Sequence, residues 1–166
     1  MSVIEETIAK FHAEPDAGRS APAATATLSN GHARLSFGSF NWDADLAPAL
    51  GGGGLAPSPT AYLLGALAGC AVAFLADTLA PQFGVRIDGI TAVARCRADS
   101  RGLLGMDGAL PDLEGIELDV EVTSPDGERA LEPVLAAWRE RCPIYLALLK
   151  PNAVALTTRF VAAAAA

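Results

Sequence analysis

The sequence predicts an α+β fold in which antiparallel sheets wrap around a long buried central helix. Strand-like alternation occurs both before and after residues 59–79, and that central segment is apolar and has helix-start signals. Strands grouped in this way favour antiparallel pairing. With 166 residues, the chain has the length of one domain and needs neither disulfides nor a metal to bury a core.

The composition excludes several classes of partner. The net charge is −7 and the isoelectric point is about 4.7, whereas nucleic acids and anionic membranes attract basic surfaces. The first residues lack the basic region and apolar core of a signal peptide. The longest uncharged apolar stretch, residues 61–76, is shorter than the roughly 20 residues of a membrane span. We therefore expect a cytoplasmic protein without a nucleic-acid or membrane partner.

Three segments are predicted along the chain. Residues 1–23 are expected to form an N-terminal helix and a linker, because Ser2 and Glu5 match a capping box and two prolines and a glycine follow the helix. Residues 24–161 are expected to form the main domain. Residues 162–166, all alanine, are expected to be a tail.

The strands of the main domain are predicted from alternation and turn signals. Asn30-Gly31 is a hairpin turn signal between the first two strands. Gly51–Gly54 is expected to be a flexible break, since four glycines offer no side chains to pack. The predicted strands are Thr25–Leu28, Ala33–Phe37, Phe40–Asp45, Ile90–Ala98, Ile116–Thr123 and Ala153–Phe160.

The central helix carries the first cysteine of interest. Ser58 is a good N-cap and Pro59 is well suited to the first helical position. The helix is predicted to run to about Leu79 and to lie inside the protein, because it is apolar nearly all round. Cys70 lies in its middle.

A second cysteine lies at a predicted helix junction. A helix is expected from Glu128 to about Arg141, and Pro143 then interrupts it. If Cys142 caps a new helix, free backbone N–H groups and the nearby Arg139 and Arg141 would lower the pKa of its thiol. A simple helix break is the equally reasonable structural alternative.

Other chemistries receive little support from the sequence. The two histidines and three cysteines do not have the spacing of a metal site. The glycine run lacks the lysine of a phosphate-binding loop, and no nucleophile elbow is present. Cys96 is expected to be a packing thiol on the small apolar face of its strand. We therefore expect no metal and no cofactor.

Two segments together resemble the OsmC/Ohr family: residues 51–70, ending in Ala-Gly-Cys70, and the downstream Cys142-Pro143-Ile144. The resemblance extends over roughly residues 25–160. It implies an intertwined homodimer that reduces organic hydroperoxides at the subunit interface. By this resemblance Cys70 attacks the hydroperoxide and becomes a sulfenic acid, Cys142 resolves it as a disulfide, and an external dithiol resets the pair.

Two positions depart from the family pattern. Peroxidases of the family usually have a glutamate, which positions an activating arginine, where this chain has Thr60. The arginine itself is sought in the N-terminal half, with Arg34 as the first choice and Arg19 as the second. An unperturbed thiol is only a few per cent ionised at pH 7, so Cys70 requires a cation. Asp77, two turns further on, is expected to point to solvent or to an arginine.

Two alternatives remain open. The chain could bind an apolar ligand without turnover, in a groove beside the central helix. Thr60, Tyr62 and Tyr145 are candidate ligand-binding residues in either case, with Phe74 and Trp138 as further candidates for the groove wall; ordinary core packing is the structural alternative for the aromatic residues. The chain could also be a thiol redox sensor that passes a disulfide to a partner.

Overall fold

Two small antiparallel sheets and one long helix dominate the structure, a computed structural model that describes residues 2–150 and 153–162. The strands are β1 (Thr25–Ser29), β2 (His32–Phe37), β3 (Phe40–Ala44), β4 (Gly89–Arg97) and β5 (Glu114–Thr123). The helices are α1 (Val3–Ala13), α2 (Pro59–Ala73), α3 (Ala80–Phe83), α4 (Ser100–Leu103), α5 (Glu128–Arg141) and α6 (Pro143–Leu149). Short 3₁₀ turns lie at Pro15–Gly18 and Pro48–Leu50.

The first sheet is a three-stranded meander, β1–β2–β3. Its first turn has Asn30 at φ 51° and Gly31 at φ 86°, the two positive angles that a tight hairpin requires. Ser29 therefore pairs with His32, as the predicted hairpin demands.

The second sheet, β4–β5, packs on α2. Ile90 lies opposite Val122, and alternate side chains of both strands are half-buried against the helix. The predicted alternation of this pair is confirmed.

The central helix begins where the sequence predicts, since the Ser58 hydroxyl accepts the Ala61 N–H at 3.2 Å. After α2 the helix widens into one π-helical turn, Phe74–Leu79, and continues as α3. Its inner face packs against α5 in a core that is almost fully buried. The buried members of this core are Leu67, Ala71, Leu75, Leu79, Val134, Ala137, Trp138 and Cys142.

The opposite face of the central helix is exposed, which differs from the predicted all-round burial. This face carries small residues four positions apart. They are Ala61, Gly65, Gly69 and Ala73. By length and composition the helical segment Pro59–Phe83 could cross a membrane, and 28% of its most apolar window is buried. Core helices of soluble proteins pass the same test.

The single chain is unusually open. Its accessible surface is 12236 Å², against roughly 7,700 Å² for a compact monomer of 17.0 kDa. Part of the excess comes from the first sheet, which does not join the main core and exposes Leu28 and Phe40 at 85% and 72%.

The predicted final strand, Ala153–Phe160, is wrong for the single chain. Residues 153–162 form no strand, and Val154, Leu156 and Phe160 are 86–96% exposed. β-branched residues favour a strand only where a neighbouring strand covers them, and no strand of the described residues pairs with this segment.

Candidate redox site

The two cysteines singled out by the sequence are in contact. Cys70 lies in the last turn of α2, and Cys142 lies between α5 and α6. Because α2 packs against α6, and α6 follows directly from α5, the two sulfur atoms are 2.9 Å apart. Both are free thiols.

Cys142 is held rigidly at a helix junction. Its Sγ accepts the Tyr145 N–H at 3.4 Å, which makes it the N-cap of α6 with Pro143 in the first helical position. Its own N–H donates to the Trp138 carbonyl at 2.8 Å. The rings of Trp138 and Tyr145 lie 5.0 Å apart on either side of this junction. The predicted cap is therefore confirmed.

The two sulfurs differ in their access to solvent. Cys142 is 0% exposed, whereas Cys70 is half-buried. A soluble reagent therefore meets Cys70 first, and Cys142 lies behind it, at contact distance. This arrangement suits an attack on Cys70 from solvent that is followed by an attack on Cys70 from within the protein.

The surroundings of Cys70 within the single chain disfavour its thiolate form. Burial raises its pKa to about 11, and the hydrogen bond and charge of Cys142 act in the same direction, while the Ile144 N–H lowers it. At a pKa of about 11, roughly one molecule in ten thousand carries the thiolate at pH 7. The thiolate must be stabilised by another group if the site is to react quickly.

The predicted arginines have other partners in the single chain. Arg34 donates to both carboxylate oxygens of Asp43 at 3.0 Å, and Arg19 pairs with Asp16 at 2.9 Å. Neither is among the groups that shift the pKa of Cys70 in the described residues. The expectation that Arg34 meets Cys70 is therefore not met within one chain, because Arg34 belongs to the first sheet and that sheet does not join the core.

The candidate ligand-binding residues divide between the two ends of α2. Thr60 precedes Cys70 by ten residues, about 15 Å along the helix axis. Tyr62 uses its hydroxyl to bind the Asp43 carbonyl at 2.5 Å, which joins α2 to β3. Tyr145 contacts Cys142 directly through its N–H. Of these residues, Tyr145 alone touches the sulfur pair through a hydrogen bond among the described contacts.

Other titratable residues lie apart from the site. Asp77 is exposed, as expected, and Cys96 is half-buried on the inner face of β4. Among residues 2–150 and 153–162, no group of histidines, cysteines and carboxylates could hold a metal.

Asp45 has a structural role that no sequence motif indicated. Its carboxylate is buried and accepts the N–H groups of Leu46, Gly53 and Leu55 at 2.8–3.0 Å. These bonds, led by that of Leu55, hold its pKa below the usual range. The four-glycine segment is thus an ordered loop around Asp45 and not a flexible break. A Cβ on Gly52 would lie 2.1 Å from the Leu46 carbonyl oxygen, so glycine is required there.

A separate groove of about 690 Å³ lies between β5 and α5. Its lining is mixed: Val120, Val122, Leu131 and Leu135 are apolar, and Glu128, Arg129, Glu132 and Arg139 are charged. None of the four aromatic residues expected to line a ligand groove borders it.

Comparison with known proteins agrees with the fold. The model of a family described as OsmC-like protein matches residues 51–157. Among curated proteins, none matches this chain.

Several solved structures have the same fold at low sequence identity. An OsmC-like protein from Mycoplasma pneumoniae is 22% identical with a TM-score of 0.65, covering 78% of this chain and 88% of its own. An organic hydroperoxide resistance protein from Legionella pneumophila is 18% identical with a TM-score of 0.57; the match covers 78% of this chain and 89% of the Legionella chain. An organic hydroperoxide resistance protein from Elizabethkingia anophelis is 15% identical with a TM-score of 0.58; the match covers 78% of this chain and 88% of the Elizabethkingia chain. The predicted α+β architecture is confirmed.

Proposed function

Because the chain belongs to the OsmC-like family, we propose that it reduces organic hydroperoxides with Cys70 and Cys142 as its redox pair. The observation that carries the proposal is the 2.9 Å contact between a half-buried sulfur and a fully buried one. The Legionella and Elizabethkingia structures, which are organic hydroperoxide resistance proteins, support the same class of substrate.

The first step oxidises Cys70. Its thiolate attacks the terminal oxygen of the hydroperoxide, an S–O bond forms, and the O–O bond breaks. The alkoxide takes up a proton and leaves as the alcohol, and Cys70 becomes a sulfenic acid.

The second step reduces that sulfenic acid from within the protein. The Cys142 sulfur attacks the Cys70 sulfur, an S–S bond forms, the S–O bond breaks, and water leaves after proton transfer. An external dithiol then reduces the disulfide and is itself oxidised to a disulfide. The contact distance means that the second step needs no local unfolding.

The first step also requires a cation at Cys70, which we expect a second copy of the chain to supply. The single chain exposes roughly 4,500 Å² more than a compact monomer of its mass, which is at least as much as one partner contributes to a large obligate interface. The exposed small residues of α2 would let two helix backbones approach closely. The first sheet lies free of the main core and carries Arg34, which remains the first candidate for the activating cation in a homodimer.

Consumption of cumene hydroperoxide with an excess of a dithiol tests this proposal. The wild-type chain is expected to turn over, and Cys70→Ser is expected to be inactive. Cys96→Ser is the matched control, because it removes a half-buried thiol outside the pair. An inactive wild type, or an active Cys70→Ser variant, would contradict the proposal.

A non-catalytic binding role is the second candidate, and the raised pKa of Cys70 favours it. It predicts an apolar ligand that copurifies with the chain and stays bound in a Cys142→Ser variant. Turnover of the hydroperoxide by the wild type would rule it out as the sole function.

A further inference from the structure

The central helix departs from α geometry one turn after Cys70. In the π-helical turn Phe74–Leu79, the Ala80 N–H donates to the Leu75 carbonyl, five residues back instead of four. The Phe74 N–H still donates to the Cys70 carbonyl in the α pattern. Residues 71–73 are therefore still α-helical, and the change in geometry begins four residues after Cys70.

Pro81 gives a physical reason for this change. A proline inside a helix has no N–H to donate and its ring collides with the carbonyl four residues earlier, which here belongs to Asp77. A wider turn moves that carbonyl away from the ring. The π turn thus accommodates Pro81 without ending the helix, which continues to Phe83.

The π turn also changes which side chains face the core. Four buried residues follow each other at intervals of four: Leu67, Ala71, Leu75 and Leu79. In an α-helix each such step overshoots a full turn by about 40°, so three steps would rotate Leu79 about 120° away from Leu67. In a π turn four residues fall short of a full turn, so the last step reverses part of the rotation. Leu79 therefore remains 0% exposed.

The core that contains Leu75 and Leu79 extends through α5 to Cys142. α5 packs against the π turn, and its core residues Val134 and Trp138 belong to the same cluster as Leu75 and Leu79. The last turn of α5 leads directly into Cys142, whose N–H is bound to Trp138. A rotation of Leu79 out of the core would move α5 and, with it, the sulfur that contacts Cys70.

We infer that Pro81 is a positioning residue for the redox pair: it favours the π turn that seats α5 so that the Cys142 sulfur contacts the Cys70 sulfur. Pro81 need not touch either sulfur to do this. Its effect is on how readily the two thiols form a disulfide with any oxidant, whether or not that oxidant is a hydroperoxide.

The experiment measures that equilibrium in mixtures of reduced and oxidised glutathione. Oxidised glutathione takes up the two electrons when the Cys70–Cys142 disulfide forms, and two reduced glutathione molecules are released. Samples are quenched with an alkylating agent, and peptide mass spectrometry gives the fraction of linked cysteines. This fraction yields the effective concentration of one thiol at the other.

Two variants separate helix phase from a general loss of stability. Pro81→Ala removes the reason for the wide turn and is expected to lower the effective concentration about tenfold. The second variant deletes the exposed Asp77 in the Pro81→Ala background. With one residue fewer, a regular α-helix again turns Leu79 toward the core on the same side as Leu75. That variant is expected to return to within about twofold of the wild type. Pro22→Ala, in the linker, is the control and is expected to change nothing.

Melting temperatures of the reduced proteins provide the structural readout. An unchanged equilibrium in Pro81→Ala would overturn the inference. It would also be overturned if removing Asp77 failed to restore the equilibrium, whether that variant folds or not. Because no hydroperoxide is used, a chain without peroxidase activity would leave this result intact.

Discussion

The first sheet and the core around the central helix are built in opposite ways. The three strands of the first sheet pair through tight local hairpins and expose large apolar side chains such as Leu28. The core joins residues that are distant in sequence, so that Cys70 and Cys142 meet across 72 positions. The core thus holds both sulfurs, while Arg34, the candidate activating group, lies in the sheet. Within one chain, therefore, the two sulfurs meet, but the candidate cation of the proposed site lies in a different region.

Removing the cation from the first sheet is expected to have the largest effect. A nearby opposite charge lowers a pKa by about one to three units, so Arg34→Ala should slow the reaction of Cys70 with hydroperoxide by roughly 10- to 1,000-fold. Stopped-flow measurement of the oxidation rate checks this. Arg86→Ala is the matched control, since Arg86 also forms an ion pair with an aspartate, Asp88. Equal rates in the wild type and Arg34→Ala would place the cation elsewhere.

The next largest effect is expected from replacing a leucine by alanine in each region, because the two substitutions should change the free energy of unfolding by very different amounts. Leu75→Ala empties a site that is 1% exposed and should lower the free energy of unfolding by about 2–5 kcal/mol. Leu28→Ala removes a side chain that is 85% exposed. It should change the free energy of unfolding of a single chain by no more than about 0.5 kcal/mol. Urea unfolding measures both.

If the first sheet forms the interface of a homodimer, Leu28→Ala should weaken the association of the two chains and not the stability of each chain. Analytical ultracentrifugation should then show weaker self-association in Leu28→Ala than in the wild type. Identical monomeric masses for both chains would contradict the proposed assembly.

The contrast between the regions also explains what the sequence could predict. The hairpin at Asn30-Gly31 and the cap at Ser58 depend on neighbouring residues, and both were predictable. The contact of Cys70 with Cys142 came only through the family resemblance, because it depends on long-range packing of α2 against α6. The π turn was missed, since a single proline late in an apolar helix indicates a helix end as readily as a wider turn. The glycine loop was misjudged because its order comes from the Asp45 carboxylate.

The smallest expected effect is a pH dependence of stability. The pKa of Cys70 is raised by burial to about 11, so an unfolded chain would release that proton first as the pH rises. The stabilising contribution is fully present below pH 9 and is lost as the pH approaches 11. Two reduced variants are therefore compared: Arg34→Ala, and Arg34→Ala combined with Cys70→Ser. As the pH rises from 9 to 11, the free energy of unfolding should fall further in the variant that keeps Cys70. Parallel curves for the two chains would contradict the raised pKa.

The most direct test of the account is the product of a single oxidation. One equivalent of cumene hydroperoxide is added to the reduced chain, the remaining thiols are alkylated, and the peptides are identified by mass spectrometry. If Cys70 and Cys142 are the redox pair, the product contains a disulfide between them, and Cys96 is recovered as an alkylated thiol. Recovery of all three cysteines as alkylated thiols, or oxidation at Cys96 while the pair stays reduced, would contradict it.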